Sequence, residues 1–198
     1  MPRTVDREEQ RRQIGAALLQ LVAERGLEEV SVRTVAAAAG RSPGAVQKYF
    51  RTKDEMLVFA AELAGERIER RMADVNTAPS LRQALLELIM TTLPVDAERR
   101  AEATVQLAFA VHAAHHPRLA AIRRQVDQEV RQALAAWLES AGHQAHAVAI
   151  ADAVIALSDG LALRMLYAPQ ECEHLLTVLD QALDALIPTD GARSVTLP

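Results

Sequence analysis

Arg41, Ser42, Gln47, Lys48 and Tyr49 stand close together on one short stretch of chain, with no acidic residue among them. Two cations, two hydroxyls and an amide without a neighbouring carboxylate suit contact with a polyanion and with polar base edges. Lys53 adds to the set. It falls in the first turn of a helix, where the macrodipole favours anions, so a cation there calls for an anionic partner such as DNA phosphate. A second cluster, His112, His115 and His116, has ligand-like spacing on one helix, and the i, i+4 pair could share a metal. No Cys or carboxylate adjoins these histidines in sequence. A solvated or capping role near a helix C-terminus is therefore the expectation, and no metal site is assigned.

The elements that must position the first set are short. Ser31 is an N-cap for a helix over about Val32–Ala39, with Val32, Val35, Ala36 and Ala39 on one apolar face. Gly40 ends it as a residue that tolerates positive φ. Ser42 caps the next helix and Pro43 takes its first position. Gly44 leaves that helix start bare for close approach to a phosphate or base edge. Val46 and Phe50 are the only core anchors of this second helix, and about two turns of helix gain little from packing alone. Thr52 and Glu55 form a capping box for the helix that follows. Two compact helices crossing at a glycine turn suit a helix-turn-helix, whose second helix enters the major groove.

This stretch resembles the DNA-binding domain of TetR-family transcriptional repressors. The recognition helix of that family typically reads Ser-x-Gly-x-x-Tyr-x-His/Tyr-Phe, followed by a turn and Lys-x-x-Leu. Ser42, Gly44, Tyr49, Phe50, Lys53 and Met56-Leu57 occupy the matching places. The chain departs at Gln47, where the family usually has a tyrosine that touches DNA. Gln47 could instead hydrogen-bond an adenine edge. The resemblance implies that Arg33, Thr34, Thr52 and Lys53 hold phosphates. Ser42, Ala45, Gln47 and Lys48 touch bases or the flanking backbone, with Arg41, Pro43, Gly44 and Tyr49 in the same surface. It also implies an effector pocket among the fourth to eighth helices, where Met90, Phe109, His112, Trp137 and Arg164 are the residues to inspect. Arg164 follows an apolar run and needs a partner, either Asp159 or a ligand carboxylate. The segment from Ser158 to Arg164 is similar to the penultimate helix of one C-terminal subgroup of the family. In the family the last two helices form a four-helix dimer interface.

Composition agrees with a helical protein. Half of the 198 residues are apolar, aromatics make up 3%, and alanine and leucine dominate. Both are strong helix formers, and no run alternates as a strand would. The net charge of −4 argues against a generic nucleic-acid binder, but the charge is unevenly spread. Residues 1–55 hold ten basic and eight acidic residues, whereas the remainder holds twelve and eighteen. Arg3, Arg7, Arg11 and Arg12 form a local basic cluster interrupted by acids, which a solvated helical face explains equally well. Cys172 is the single cysteine, so no intrachain disulfide can form, in keeping with a reducing compartment. The polar N-terminus is not a signal peptide, no apolar run reaches a membrane span, and the expected location is the cytoplasm.

Periodicity gives about nine helices. The first spans about Asp6–Arg25, and the fourth starts near Lys53 with a solvated, charged second half from Glu66 to Arg71. Asn76–Ser80 is the clearest break. Ser80 and Asp96 cap the fifth and sixth helices, and a seventh runs from about Arg118 to Ala141. Helices at about 145–167 and 169–187 are apolar beyond one face, which requires a second partner, and a twofold mate is the favoured one. The expected architecture is all-α: residues 1–53 as a three-helix DNA-binding domain, 54–188 as an effector-binding and dimerisation domain, and 189–198 as a tail. The function expected is a repressor that binds palindromic operator DNA as a homodimer and is released by a small-molecule effector, with no cofactor and no membrane. Competing readings are an activator of the same architecture and a helical adaptor that binds only protein. An enzyme would need a cluster of acids, bases or metal ligands that the sequence does not offer.

Overall fold

The structure is a computed structural model that describes residues 3–75 and 80–187. The break at Asn76–Pro79 and the tail at 189–198 lie outside the described residues. Among the described residues nine α-helices follow one another: α1 Arg3–Arg25, α2 Val32–Ala38, α3 Pro43–Gln47, α4 Lys53–Ala73, α5 Leu81–Met90, α6 Ala97–Ala113, α7 Pro117–Ser140, α8 Ala147–Tyr167 and α9 Cys172–Leu186. A 3-10 turn over Pro169–Glu171 leads into α9. No strand occurs among the described residues.

Local chemistry sets most of these boundaries. The Ser80 hydroxyl accepts from Gln83 N–H at 3.1 Å and starts α5. The Asp96 carboxylate accepts from Arg99 N–H at 2.8 Å and starts α6. That backbone bond and the Arg99 side chain together hold the Asp96 carboxyl below its usual range. Each of these caps satisfies an amide that the helix itself cannot.

The chain packs as two compact units, Met1–Ala73 with Pro94–Val126 and Asp74–Leu93 with Asp127–Pro198, each taken in its described part. In the first, Ile14, Leu18, Val35, Val46, Phe50, Met56, Leu57, Val105 and Phe109 share one buried core. The Phe50 and Phe59 rings lie 5.3 Å apart, with the Arg11 guanidinium over both at 5.2 and 4.5 Å. In the second unit α9 buries Leu175, Leu179 and Leu183 along one stripe. Arg82 of α5 joins that helix through Asp180 at 2.6 Å and Asp184 at 2.5 Å.

The second half of α4 departs from expectation. It is not simply solvated. Glu66 accepts two bonds from Arg12 at 2.6 and 3.0 Å. Arg67 reaches Glu98 at 3.4 Å, and Arg71 binds Glu102, which is 1% exposed. These charges fasten α4 to α1 and α6. Arg11 and Arg12, two members of the N-terminal basic cluster, thus have partners within the fold.

Candidate nucleic-acid interface

The turn between α2 and α3 is built by backbone bonds that a glycine makes possible. Gly40 adopts φ +64°. Its N–H reaches Ala37 O at 3.1 Å, and Arg41 N–H reaches Ala36 O at 2.8 Å. This paired closure satisfies the last carbonyls of α2, and the left-handed residue at its centre is costly for any side chain but hydrogen. At the other end of α2, Ser31 and Thr34 cap reciprocally: Thr34 N–H donates to Ser31 Oγ at 3.1 Å, and Ser31 N–H donates to Thr34 Oγ1 at 2.9 Å. Ser42 Oγ accepts from Ala45 N–H at 3.2 Å, and Pro43 opens α3. Val46 and Phe50 are 0% and 1% exposed, so the short helix is held by two buried anchors.

The opposite side of this unit faces outward. Arg33, Ser42, Pro43, Gly44, Gln47, Lys48 and Thr52 are exposed, and Thr34, Arg41, Ala45, Tyr49 and Lys53 are partly so. Among the described residues the side chains of Arg33, Gln47 and Lys48 have no protein partner. Arg41 donates to Gln13 Oε1 at 2.9 Å. Thr34 Oγ1 donates to Glu29 O at 2.6 Å, so its only proton is engaged. The Ser42 and Thr52 hydroxyls accept cap bonds, at 3.2 and 3.1 Å, which leaves their protons for another acceptor. A Cβ built on Gly44 would meet no atom within 4 Å. The fold therefore gives no internal reason for a glycine there.

Two details differ from the sequence reading. The partner of Lys53 is internal: its Nζ donates to Leu27 O at 2.9 Å, closing the loop after α1 on the start of α4. Two of its three protons remain for other acceptors. The box at the start of α4 is shifted by one residue, since the Glu55 carboxylate accepts from Arg51 N–H at 2.7 Å rather than from Thr52.

The residues singled out for an effector fall in both packing units. Phe109 and His112 belong to the first, and Met90, Trp137 and Arg164 to the second. Phe109 is a buried core residue, and Arg164 is exposed. Arg164 bonds Glu171 at 3.0 Å, which corrects the pairing with Asp159 offered above. Five helical positions separate Asp159 and Arg164 by about 140° around the axis, too far for a direct pair. His112 Nε2 lies 3.0 Å from Asp54 Oδ1. A cavity of about 430 Å³ in the first unit is lined by Tyr49, Phe50, Asp54, Phe59, His116 and Leu119 among others, and by none of those five. Sequence reasoning missed it because its walls come from three separate stretches of chain, around residues 11, 49–62 and 116–122.

Two family models match. The model described as bacterial regulatory proteins, tetR family, covers residues 14–59, and that described as BetI-type transcriptional repressor, C-terminal, covers residues 81–188. The HTH-type transcriptional regulator PksA of Bacillus subtilis is 36% identical over 116 residues, 58% of this chain and 57% of that protein. The alignment thus spans little more than half of that relative. A transcriptional regulator from Rhodococcus is 39% identical, with TM-score 0.82 over 89% of this chain and 95% of its own. A candidate transcriptional regulator from Saccharomonospora viridis, solved in complex with choline, shares the fold at 23% identity, with TM-score 0.77 over 92% of this chain and 97% of its own. No helix among the described residues is long and apolar enough to cross a membrane.

Proposed function

The chain belongs to the TetR family of transcriptional regulators, and from that premise we propose that it is a ligand-responsive repressor that binds palindromic operator DNA as a homodimer. It is a regulator and not an enzyme. The observation that carries the proposal is the acid-free outward surface of α2 and α3, where Arg33, Gln47 and Lys48 have no protein partner among the described residues.

In this reading residues 1–53 form the reading head and 54–188 the effector-binding and dimerising body. Arg33, Thr34, Thr52 and Lys53 lie against phosphates. Arg41, Ser42, Pro43, Gly44, Ala45, Gln47, Lys48 and Tyr49 enter the major groove or flank it. Thr34 can give its hydroxyl proton to a phosphate only by releasing its bond to Glu29 O, so it contributes least of the four.

Support for a twofold mate comes from α8. Val148, Leu163 and Tyr167 are 54%, 48% and 68% exposed. Ala156, Gly160, Leu163 and Tyr167 follow one helical stripe at intervals of three or four residues, and Val148 lies two turns before Ala156 with Asp152 between them. Small residues between large apolar ones allow two helices to approach closely. A mate also supplies the second head for a half-site about 34 Å away. Small-molecule control rests on neighbours of this fold solved with choline and with imidazole. An effector regulates only if it binds one head separation more tightly than the other.

Selection of duplexes bound from a random DNA pool tests the reading. Enrichment of an inverted repeat supports it, and no enrichment at low salt overturns it. A reporter placed downstream of the enriched sequence then distinguishes repression from activation.

A further inference from the structure

We propose that Asp54, His112 and His116 form a binding site for a divalent transition metal of the Zn²⁺ class. His112 lies in the last turn of α6, and His116 follows four positions later in the turn before α7. Asp54 is the second residue of α4. The chain separation of 58 residues between Asp54 and His112 is the reason the carboxylate escapes a sequence reading. One ligating atom from each of the three residues lies within 4.8 Å of the other two. The His112 and His116 rings are 4.2 Å apart between centroids.

The geometry is close to what an ion needs. Zn²⁺ bonds of about 2.0–2.2 Å to nitrogen and oxygen place tetrahedral ligand atoms roughly 3–3.5 Å apart. His112 Nε2 and Asp54 Oδ1 are already at 3.0 Å. The His116 ligand atom, within 4.8 Å of the other two, has to close in by about an ångström or more to complete the third bond. Asp54 and His116 both line the 430 Å³ cavity, so a fourth position opens on solvent and takes water. Glu55, Glu62, Arg11 and Arg118 line the same cavity and balance in charge. Two imidazoles with a single carboxylate select Zn²⁺, Co²⁺ or Ni²⁺ over Mg²⁺ or Ca²⁺, which require more oxygen ligands.

Bound there, the ion ties the first turn of α4 to the end of α6. Asp54 follows the last residue of α3 by seven positions, so the clamp sits at the root of the reading head. The site is independent of the DNA-binding proposal, because its ligands are defined without it.

The test titrates the untagged full chain, freed of metal by chelation, with ZnCl₂ by calorimetry and with CoCl₂ by visible absorption. The expected result is one ion per chain with the intense absorption of four-coordinate Co²⁺. His116→Ala and Asp54→Asn each weaken binding by about tenfold or more, whereas His115→Ala, outside the cluster, leaves it unchanged. Circular dichroism of each variant separates a lost ligand from a lost fold. Failure of the wild-type chain to bind Zn²⁺, or equal binding by His116→Ala and Asp54→Asn, overturns the site. Neither outcome bears on DNA binding, which is measured on the metal-free chain.

Discussion

In the second half of α4, Arg67 and Arg71 close on Glu98 and Glu102, and Glu66 takes two bonds from Arg12. On α2 and α3, in the same packing unit, the side chains of Arg33, Gln47 and Lys48 meet no protein partner among the described residues. Both regions look alike in sequence, as charged or polar residues on amphipathic helices. The difference is that one set is paired within the fold and the other is not, and the DNA-binding proposal rests on that second set. Charge density alone does not separate the two regions; the presence or absence of an internal acid does.

The comparison is broken most severely from the paired side. Arg71→Leu strands the Glu102 carboxylate, 1% exposed, with Arg67 at 3.8 Å as its remaining cation. Losing one partner of a buried ion pair costs about 3–5 kcal/mol. Urea unfolding should show a loss at or just under the lower end of that range, while DNA affinity at a temperature where the variant is folded stays near wild type.

Gly44→Ala sharpens the contrast from the other side. The new methyl meets nothing within 4 Å in the free chain. Thermal stability should therefore hold or rise slightly, as exchange of glycine for alanine in a helix does by about 0.5–1 kcal/mol. DNA binding should weaken about tenfold, or about 1.4 kcal/mol, if a phosphate or base edge must come close there. Weak DNA binding together with a less stable protein would instead point to a structural role for Gly44.

Asp96→Ala removes the cap of α6 and should cost about 1 kcal/mol by denaturant titration at neutral pH. The Asp96 carboxyl is held below its ordinary value in the folded chain. Its ionic contribution is thus present above the unfolded value of about 3.9 and lost as pH falls through the lower folded value. The stability gap between wild type and Asp96→Ala should narrow as pH drops below about 4. A gap that widens there would contradict the assignment.

What the sequence discloses follows the range of the interaction. Ser31, Ser42, Ser80 and Asp96 are readable as caps because each acts on an amide three residues away. Gly40 is readable because a backbone turn is local. The bonds from Lys53 to Leu27, His112 to Asp54 and Arg71 to Glu102 join residues 26, 58 and 31 positions apart. No periodicity encodes such pairings, since they depend on how helices cross. Arg164 shows the same limit over a shorter range: its partner Glu171 lies seven positions on, in the 3-10 turn beyond α8. Of the candidate reading surface, the residue types and their helix were legible, and the internal engagement of Thr34, Arg41 and Lys53 was not.

The salt dependence of DNA affinity for wild type and Lys48→Ala, measured on one selected duplex, tests most directly that the unpaired cations meet phosphate. Release of counterions makes log K fall linearly with log salt, and loss of one phosphate contact should make that slope shallower by about one unit. Lys48→Ala is predicted to bind more weakly with a shallower slope and unchanged thermal stability. Identical affinity and slope for the two proteins would contradict the docking of α3 against DNA.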